Sequence, residues 1–243
     1  GSISESPKLF KYNNTNDSWG SALTQSATDQ VTDSVVFTDS GGTSYLVFAH
    51  YDTNGSGYTY SSDGSSWTTD TTDTQYLTVW DERLWGISYG GQLWYATSIG
   101  TETNDAVLPL PDGSITKLFV ARNAFGIPII YAATSRGLYA HNADNAMWED
   151  TQMDFPIHPD NGKGTVRWRD SVYIPSGNGI YKYINGNNAA VITVVGPDRD
   201  DGLPSDKRGA IRKMAGSHNE LLIGVDATAA PSTISSTDIP YQW

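Results

Sequence analysis

Tyr58-Thr59-Tyr60-Ser61-Ser62-Asp63-Gly64-Ser65-Ser66-Trp67 reads as a short aromatic strand, a polar turn and a closing tryptophan. Tyr and Thr suit a pleated, half-buried surface. Asp and Ser hydrogen-bond the backbone of a tight turn, and Gly admits the positive φ that such a turn needs. Trp67 then folds back to bury its ring. The rest of the chain repeats this unit with variations.

Working outward, Lys8-Leu9-Phe10-Lys11-Tyr12-Asn13 aligns with Gly179-Ile180-Tyr181-Lys182-Tyr183-Ile184 and with Gly137-Leu138-Tyr139-Ala140-His141-Asn142, and more loosely with Gln92-Leu93-Trp94-Tyr95-Ala96-Thr97. Before each internal copy stands another short apolar strand: 45–49, 83–88, 129–133 and 172–175, with 221–225 as a fifth. Before each of these lies a further strand, at 31–38, 76–80, 115–122, 165–169 and 210–214. Trp80-Asp81 and Trp168-Arg169 end two of them alike. A fourth strand follows the aromatic one at 106–110, 151–155 and 189–195. The unit is thus four short strands over roughly 40–50 residues, the period of a β-propeller blade. A β-sandwich of hairpins is the competing architecture, and the recurring motifs favour the propeller. No segment carries an amphipathic helix at period 3.6.

The expected fold is therefore all-β, a propeller of about five four-stranded blades forming one domain over residues 1–243. The chain opens on a third-type strand and nears its end on first- and second-type strands. This fits a ring closed by a clasp of N-terminal and C-terminal strands, which would hide sheet edges. It fits equally a fragment of a longer propeller, with residues 226–243 starting a further blade or an extension. Ser236 to Trp243 resembles another polar turn closed by Trp.

Composition narrows the function classes. The 243 residues are 38% apolar but 12% aromatic, so the core rests on Trp, Tyr and Phe, whose polar tips remain available for hydrogen bonds. A net charge of −12 with only 15 Lys and Arg argues against nucleic acid. There is no apolar run long enough for a membrane-spanning helix. With no Cys, disulfides and thiolate zinc sites drop out. Asn13-Asn14-Thr15, Asn16-Asp17-Ser18 and Asn54-Gly55-Ser56 fit the glycosylation acceptor pattern, which chance also supplies in so polar a chain.

Ser61, Asp63, Gly64 and Trp67 resemble the Asp-box, or BNR repeat, of roughly Ser-x-Asp-x-Gly-x-x-Trp, one residue short. Ser236, Asp238 and Trp243 keep the full spacing but have Pro240 at the Gly place, and Asn142–Trp148 and Asn13–Trp19 are more degenerate copies. The resemblance implies a propeller of the broad sialidase-like superfamily, with the motif on the third-to-fourth strand turn at the blade rim, where it is structural. Asp-box proteins include sialidases, other glycosidases and binding modules, so function must be argued from the site. Sialidase-like chemistry would need a Phe-Arg-Ile-Pro element. The nearest match, Phe125-Gly126-Ile127-Pro128, lacks the Arg.

Arg122, Arg167, Arg169 and Arg212 fall on or at the end of first-type strands, which line a propeller's channel. They would clamp an acidic ligand there or pair with the many Asp residues. A glycosidase needs two carboxyls across a cleft, and Asp is too common here for a pair to be chosen. Asp198, Asp200, Asp201 and Asp206 crowd a long loop and offer hard oxygen ligands for Ca²⁺. Gly202 breaks the calcium-loop spacing, so a solvated, Pro-braced loop competes. No other metal or cofactor is expected, since His50, His141, His158 and His218 show no ligand spacing.

Binding is the more natural use. Fourth-to-first and second-to-third loops share one propeller face, and they bring Tyr51, Asp52, Tyr89, Arg136, His158, Asp160, Asp200 and Asp201 to it. Aromatic side chains beside Asp suit sugar rings, or a protein partner anchored by Tyr and Arg. The expectation is a non-enzymatic recognition or scaffold module, extracellular or virion-associated, that binds glycan or protein. An Asp-box glycoside hydrolase and a structural part of a larger viral or extracellular assembly are the alternatives.

Overall fold

The computed structural model describes residues 8–13, 15–24, 30–52, 55–107, 109–110, 114–123, 125–151, 157–169, 171–176, 179–184, 191–194 and 209–227. Asp198, Asp200, Asp201, Asp206 and the 236–243 segment lie outside these. Among the described residues the secondary structure is strands without helices. β1 (Lys8–Asn13) and β2 (Ser18–Thr24) form a two-stranded sheet. Four four-stranded sheets follow: β3 (Gln30–Thr38), β4 (Ser44–Asp52), β5 (Gly55–Ser61) and β6 (Thr68–Asp70); β7 (Tyr76–Trp80), β8 (Arg83–Ile87), β9 (Leu93–Ala96) and β10 (Thr103–Asn104); β11 (Ile115–Arg122), β12 (Pro128–Thr134), β13 (Leu138–Asn142) and β14 (Met147–Asp150); and β15 (Val166–Trp168), β16 (Ser171–Ser176), β17 (Gly179–Ile184) and β18 (Val191–Val194). β19 (Gly209–Gly216) and β20 (Leu221–Ala227) close the series as a second two-stranded sheet. In each four-stranded sheet the strands pair in chain order, and the chain is a five-bladed β-propeller.

The strand places explain the burial. Second strands have neighbours on both sides within the sheet, and Leu84 to Ile87 of β8 and Ile130 to Thr134 of β12 are buried throughout. Fourth strands are edges and are kept to two to four residues in β6, β10 and β14, which leaves little unpaired backbone to template aggregation. They also depart from the sequence reading. The ladder forms at Thr103–Asn104, not 106–110, because the Asp105 carboxylate accepts the Val107 amide at 2.9 Å and turns the chain away. Val107 and Leu110 are nevertheless buried, so their apolar character reports packing without pairing. Likewise β14 starts at Met147. Asn142 Oδ1 accepts the amides of Asp144 and Asn145, and Ala146 at φ 48° completes a turn tight enough for pairing to resume at once.

The described chain divides into two compact units, one of residues 1–111, 118–120 and 141–149, the other of 112–117, 121–140 and 150–243. In the first, Phe37, Val47, Ala49 and Tyr58 of the β3–β6 sheet pack with Leu77, Leu84, Trp94 and Ala96 of the β7–β10 sheet. Trp94 stacks on Tyr58 at 5.7 Å between ring centroids. Its ring also lies across Gly86, where a Cβ would overlap it. In the second unit, Ile180, Ile211 and Met214 form a core with Val166, Tyr173 and Ile223 packed against it.

Four first-to-second corners come in two designs, and a further one, between β19 and β20, spans residues 217–220. After β3 and after β11 the chain takes a five-residue loop. Its opening Asp39 or Asn123 side chain accepts two later amides, and Gly42 or Gly126 sits at φ 81° or 78°. After β7 and after β15 the corner has two residues and a tryptophan before it, with Trp80 opposite Arg83 and Trp168 opposite Ser171. Asp81 and Glu82 both have positive φ, 51° and 56°, the signature of a type I′ hairpin normally filled by Asn-Gly.

Replacing Asp81-Glu82 by Asn-Gly should therefore raise stability by about 0.5–1 kcal/mol, seen as a higher urea midpoint at unchanged slope. Gly86→Ala should lower it by about 1–3 kcal/mol or more, because the new methyl must displace the Trp94 ring.

Candidate functional site

The second-to-third and fourth-to-first loops are built on buried hydroxyls that the sequence reading did not single out. Thr134 and Ser176 end second strands, Ser88 directly follows one, and all three are buried. Ser88 Oγ accepts the Gln92 amide at 3.0 Å, and Thr134 Oγ1 accepts the amides of Arg136 and Gly137 at 3.2 and 3.1 Å. These turns fix their loops before any ligand arrives.

Within the first unit they bring Tyr51, at the end of β4, against Tyr89, just past β8. The rings are 5.0 Å apart between centroids and tilted by 44°. Both stay exposed, at 44% and 41%, although the core lies directly beneath. By strand alternation Tyr51 and Ser56 share the sheet face of Ala49 and Tyr58, so the pair caps the seam between the first unit's two four-stranded sheets. Asp73, in the β6–β7 loop, ties the pair down. Its Oδ1 accepts the Ser56 hydroxyl and lies 3.5 Å from the Tyr89 amide. Burial, then Tyr51, then Asp73 push the Tyr89 phenol up to about 12. Asp52 closes β4 opposite Gly55.

His158 and Asp160 meet separately, in the second unit, against the loop that carries Arg136. The His158 amide donates to Ser135 O at 3.0 Å, and His158 Nδ1 accepts the Asp160 amide at 3.1 Å. Lys163 Nζ stands 3.3 Å from Asp160 Oδ1. Arg136 is exposed beside Ser135. The organiser is Asn161, fully buried. Its Nδ2 donates to Ser135 O at 3.0 Å, its Oδ1 accepts the Ser176 hydroxyl at 3.0 Å, and its carbonyl accepts from Thr116. Gly162 follows at φ 73° and donates to Pro175 O at 2.7 Å. The Asn161-Gly162 pair was the sequence signal for this turn, hidden among many polar neighbours.

Of the arginines read from the sequence as channel residues, Arg122 and Arg169 have local partners. Arg122 donates to Gly126 O at 2.8 Å across its own corner. Arg169 stands in the β15–β16 turn at φ 53°, past the strand end, with its guanidinium 4.6 Å from the Trp168 ring centroid and 3.4 Å from His218 O. Arg167 is exposed on β15, and Arg212 lies on β19 beside the register shift between Ile211 and Lys213.

The turn that decided the repeat joins β5 to β6, at the opposite end of β5 from Ser56. Asp63 Oδ1 accepts the amides of Ser65 and Ser66 at 2.6 and 2.7 Å, and Ser61 Oγ accepts the Gly64 amide at 2.8 Å. Gly64 has φ 70°, and Trp67 packs on Phe48 at 5.5 Å. The Ser66 and Ser65 amides hold the Asp63 carboxyl down to about 2. Lys11 of β1 donates to Asp63 O at 2.7 Å. No group of three or more potential ligands that could hold a metal ion occurs among the described residues.

No family model matches the chain, and no curated protein does. Solved structures do. The extracellular domain of the hybrid two-component system BT3049 of B. thetaiotaomicron superposes with a TM-score of 0.58 at 14% identity, over 89% of this chain and 29% of its own. The extracellular domain of BT4673 from the same organism gives 0.50 at 15% identity, over 90% and 32%. BBS1N, solved in complex with ARL6DN, gives 0.56 at 11% identity, over 91% and 71%. At these identities the likeness is one of fold. The chain spans about a third of the length of the two extracellular domains.

Alkaline titration tests the burial of the tyrosines. Tyr58 and Tyr131 are held above the ordinary phenol range, first by burial and then by hydrogen bonds with Glu102 and Tyr183. Tyr89 rises to about 12. Unfolded phenols ionise near 10, so the unfolded state gains relative to the folded one above that pH. Stability should hold below pH 10 and fall as pH rises from about 10 to 12. Phenolate absorbance should show these three lagging the other tyrosines until the chain unfolds.

Proposed function

We propose that this chain is a non-enzymatic recognition module of the cell exterior, which binds glycan or protein through its second-to-third and fourth-to-first loops. One observation carries the reading: Tyr51 and Tyr89 form an exposed aromatic pair, from loops of neighbouring sheets, over a packed core. Rigid aromatic rings give large contact area at low entropic cost, and loops fixed in advance lower the cost of ordering on binding. His158 and Asp160 stand on a loop of the same type, bonded through Ser135 to the loop that carries Arg136. The solved neighbours that are extracellular domains support the exterior placement over a virion one. BBS1N, held in complex with ARL6DN, illustrates a similar fold put to binding. In this reading the Ser61–Trp67 turn is an Asp-box-like lock at the blade rim, and it serves the fold.

The test is a glycan array and a panel of purified surface proteins, probed with the full chain and with a Tyr51→Ala/Tyr89→Ala variant. Ligands of the native chain should weaken by roughly ten-fold or more on the variant, while thermal melting changes little because both rings are half exposed. A fluorogenic glycosidase panel runs alongside. Turnover that disappears when a single carboxylate is changed would overturn the non-enzymatic reading.

A further inference from the structure

We infer that the Tyr51–Tyr89 pair and Asp73 form a receptor for a cationic side chain, and that the partner presents an arginine to it. This deepens, and rests on, the reading that this loop face binds a ligand. The geometry supplies two halves of a cation site. The tilted, half-exposed rings offer π-faces at which a cation is attracted by the ring quadrupole. Asp73 brings a carboxylate to the same place. Its Oδ1 is engaged by the Ser56 hydroxyl and the Tyr89 amide, so the group is held rigidly, and Oδ2 has no hydrogen-bond partner among the described residues. Neither phenol hydroxyl has one either.

Charge complementarity selects the occupant. Residues 1–111, which contain every member of the site, hold 13 acidic side chains against three basic ones; the remaining residues hold 14 against 12. The negative field of the whole chain is therefore concentrated on the segment that carries the aromatic pair, and it steers cations there. Arginine fits better than lysine. Its planar guanidinium stacks flat on a tyrosine face, is weakly hydrated, and still offers N–H groups to Asp73 Oδ2. A neutral sugar would use the rings but gain nothing from the charge.

The experiment is an NMR titration of the full chain, with tyrosine rings labelled, against acetyl-Gly-Arg-Gly-amide and its citrulline counterpart, the neutral isostere. The Arg peptide should shift the Tyr51 and Tyr89 signals saturably and bind about three- to ten-fold more tightly than the citrulline peptide. Raised salt should shrink the difference. Asp73→Asn keeps an oxygen for Ser56 and Tyr89 and removes only the charge, so it should erase most of the preference. Tyr51→Leu, at an exposed ring, serves as a second variant and should weaken the Arg peptide without unfolding the chain. Equal binding of both peptides, an unchanged preference in Asp73→Asn, or no shift with either peptide overturns the inference. The broader reading falls separately, when the Tyr51→Ala/Tyr89→Ala variant keeps every ligand found in the glycan and protein screens.

Discussion

Trp94 occupies the space above Gly86 and stacks on Tyr58, and this contact joins the two four-stranded sheets of the first unit. It works only because one position lacks a Cβ. A chain with modest apolar content must build its core from few, large side chains, and each ring needs a partner surface shaped to take it. Tyr58 adds the second requirement of such a core, since its hydroxyl is buried and finds the Glu102 carboxylate. Phe37, Val47, Leu77 and Leu84 fill in around the two rings.

The same packing sets the spacing of the loops. Tyr51 and Ser56 stand on the sheet face that carries Tyr58, two or more residues further along. Tyr89 follows directly on the buried β8, which holds Gly86. The aromatic pair therefore has the position that the core gives it, and Asp73 adds only the last constraint. In the second unit a buried amide takes that part. Asn161 ties three segments together through its own hydrogen bonds and leaves His158 and Asp160 half-buried beside them.

The repeat was legible because turns punctuate it. β7, β11 and β17 have the limits read from the sequence, since each is a short run rich in β-branched, aromatic and other apolar residues bounded by turns. Fourth strands were less legible. They are short edges with polar residues, while nearby Val107 and Leu110 carry an apolar signal for burial alone. The loop face followed from the phase of the repeat, and Tyr51 and Tyr89 could be named because aromatic residues are distinctive. Ser56, Asp73 and Asn161 could not. In a chain crowded with Ser, Asp and Asn, nothing local marks the few whose partners lie far along the sequence. The placement of Arg136, His158 and Asp160 in one unit and the tyrosines in the other is likewise a product of long-range packing.

The two corner designs bear on how a chain of similar sheets avoids pairing its strands wrongly. A five-residue corner follows β3 and β11, a two-residue corner follows β7 and β15, and residues 217–220 join β19 to β20. A two-residue hairpin has no slack, so its turn alone fixes which residues face each other. A five-residue corner leaves that choice to the strands, and Asp39 and Asn123 restore it by binding two later amides of their own loops. Register is thus written locally, within each hairpin, where a slip of one residue would turn the buried side chains to the wrong face.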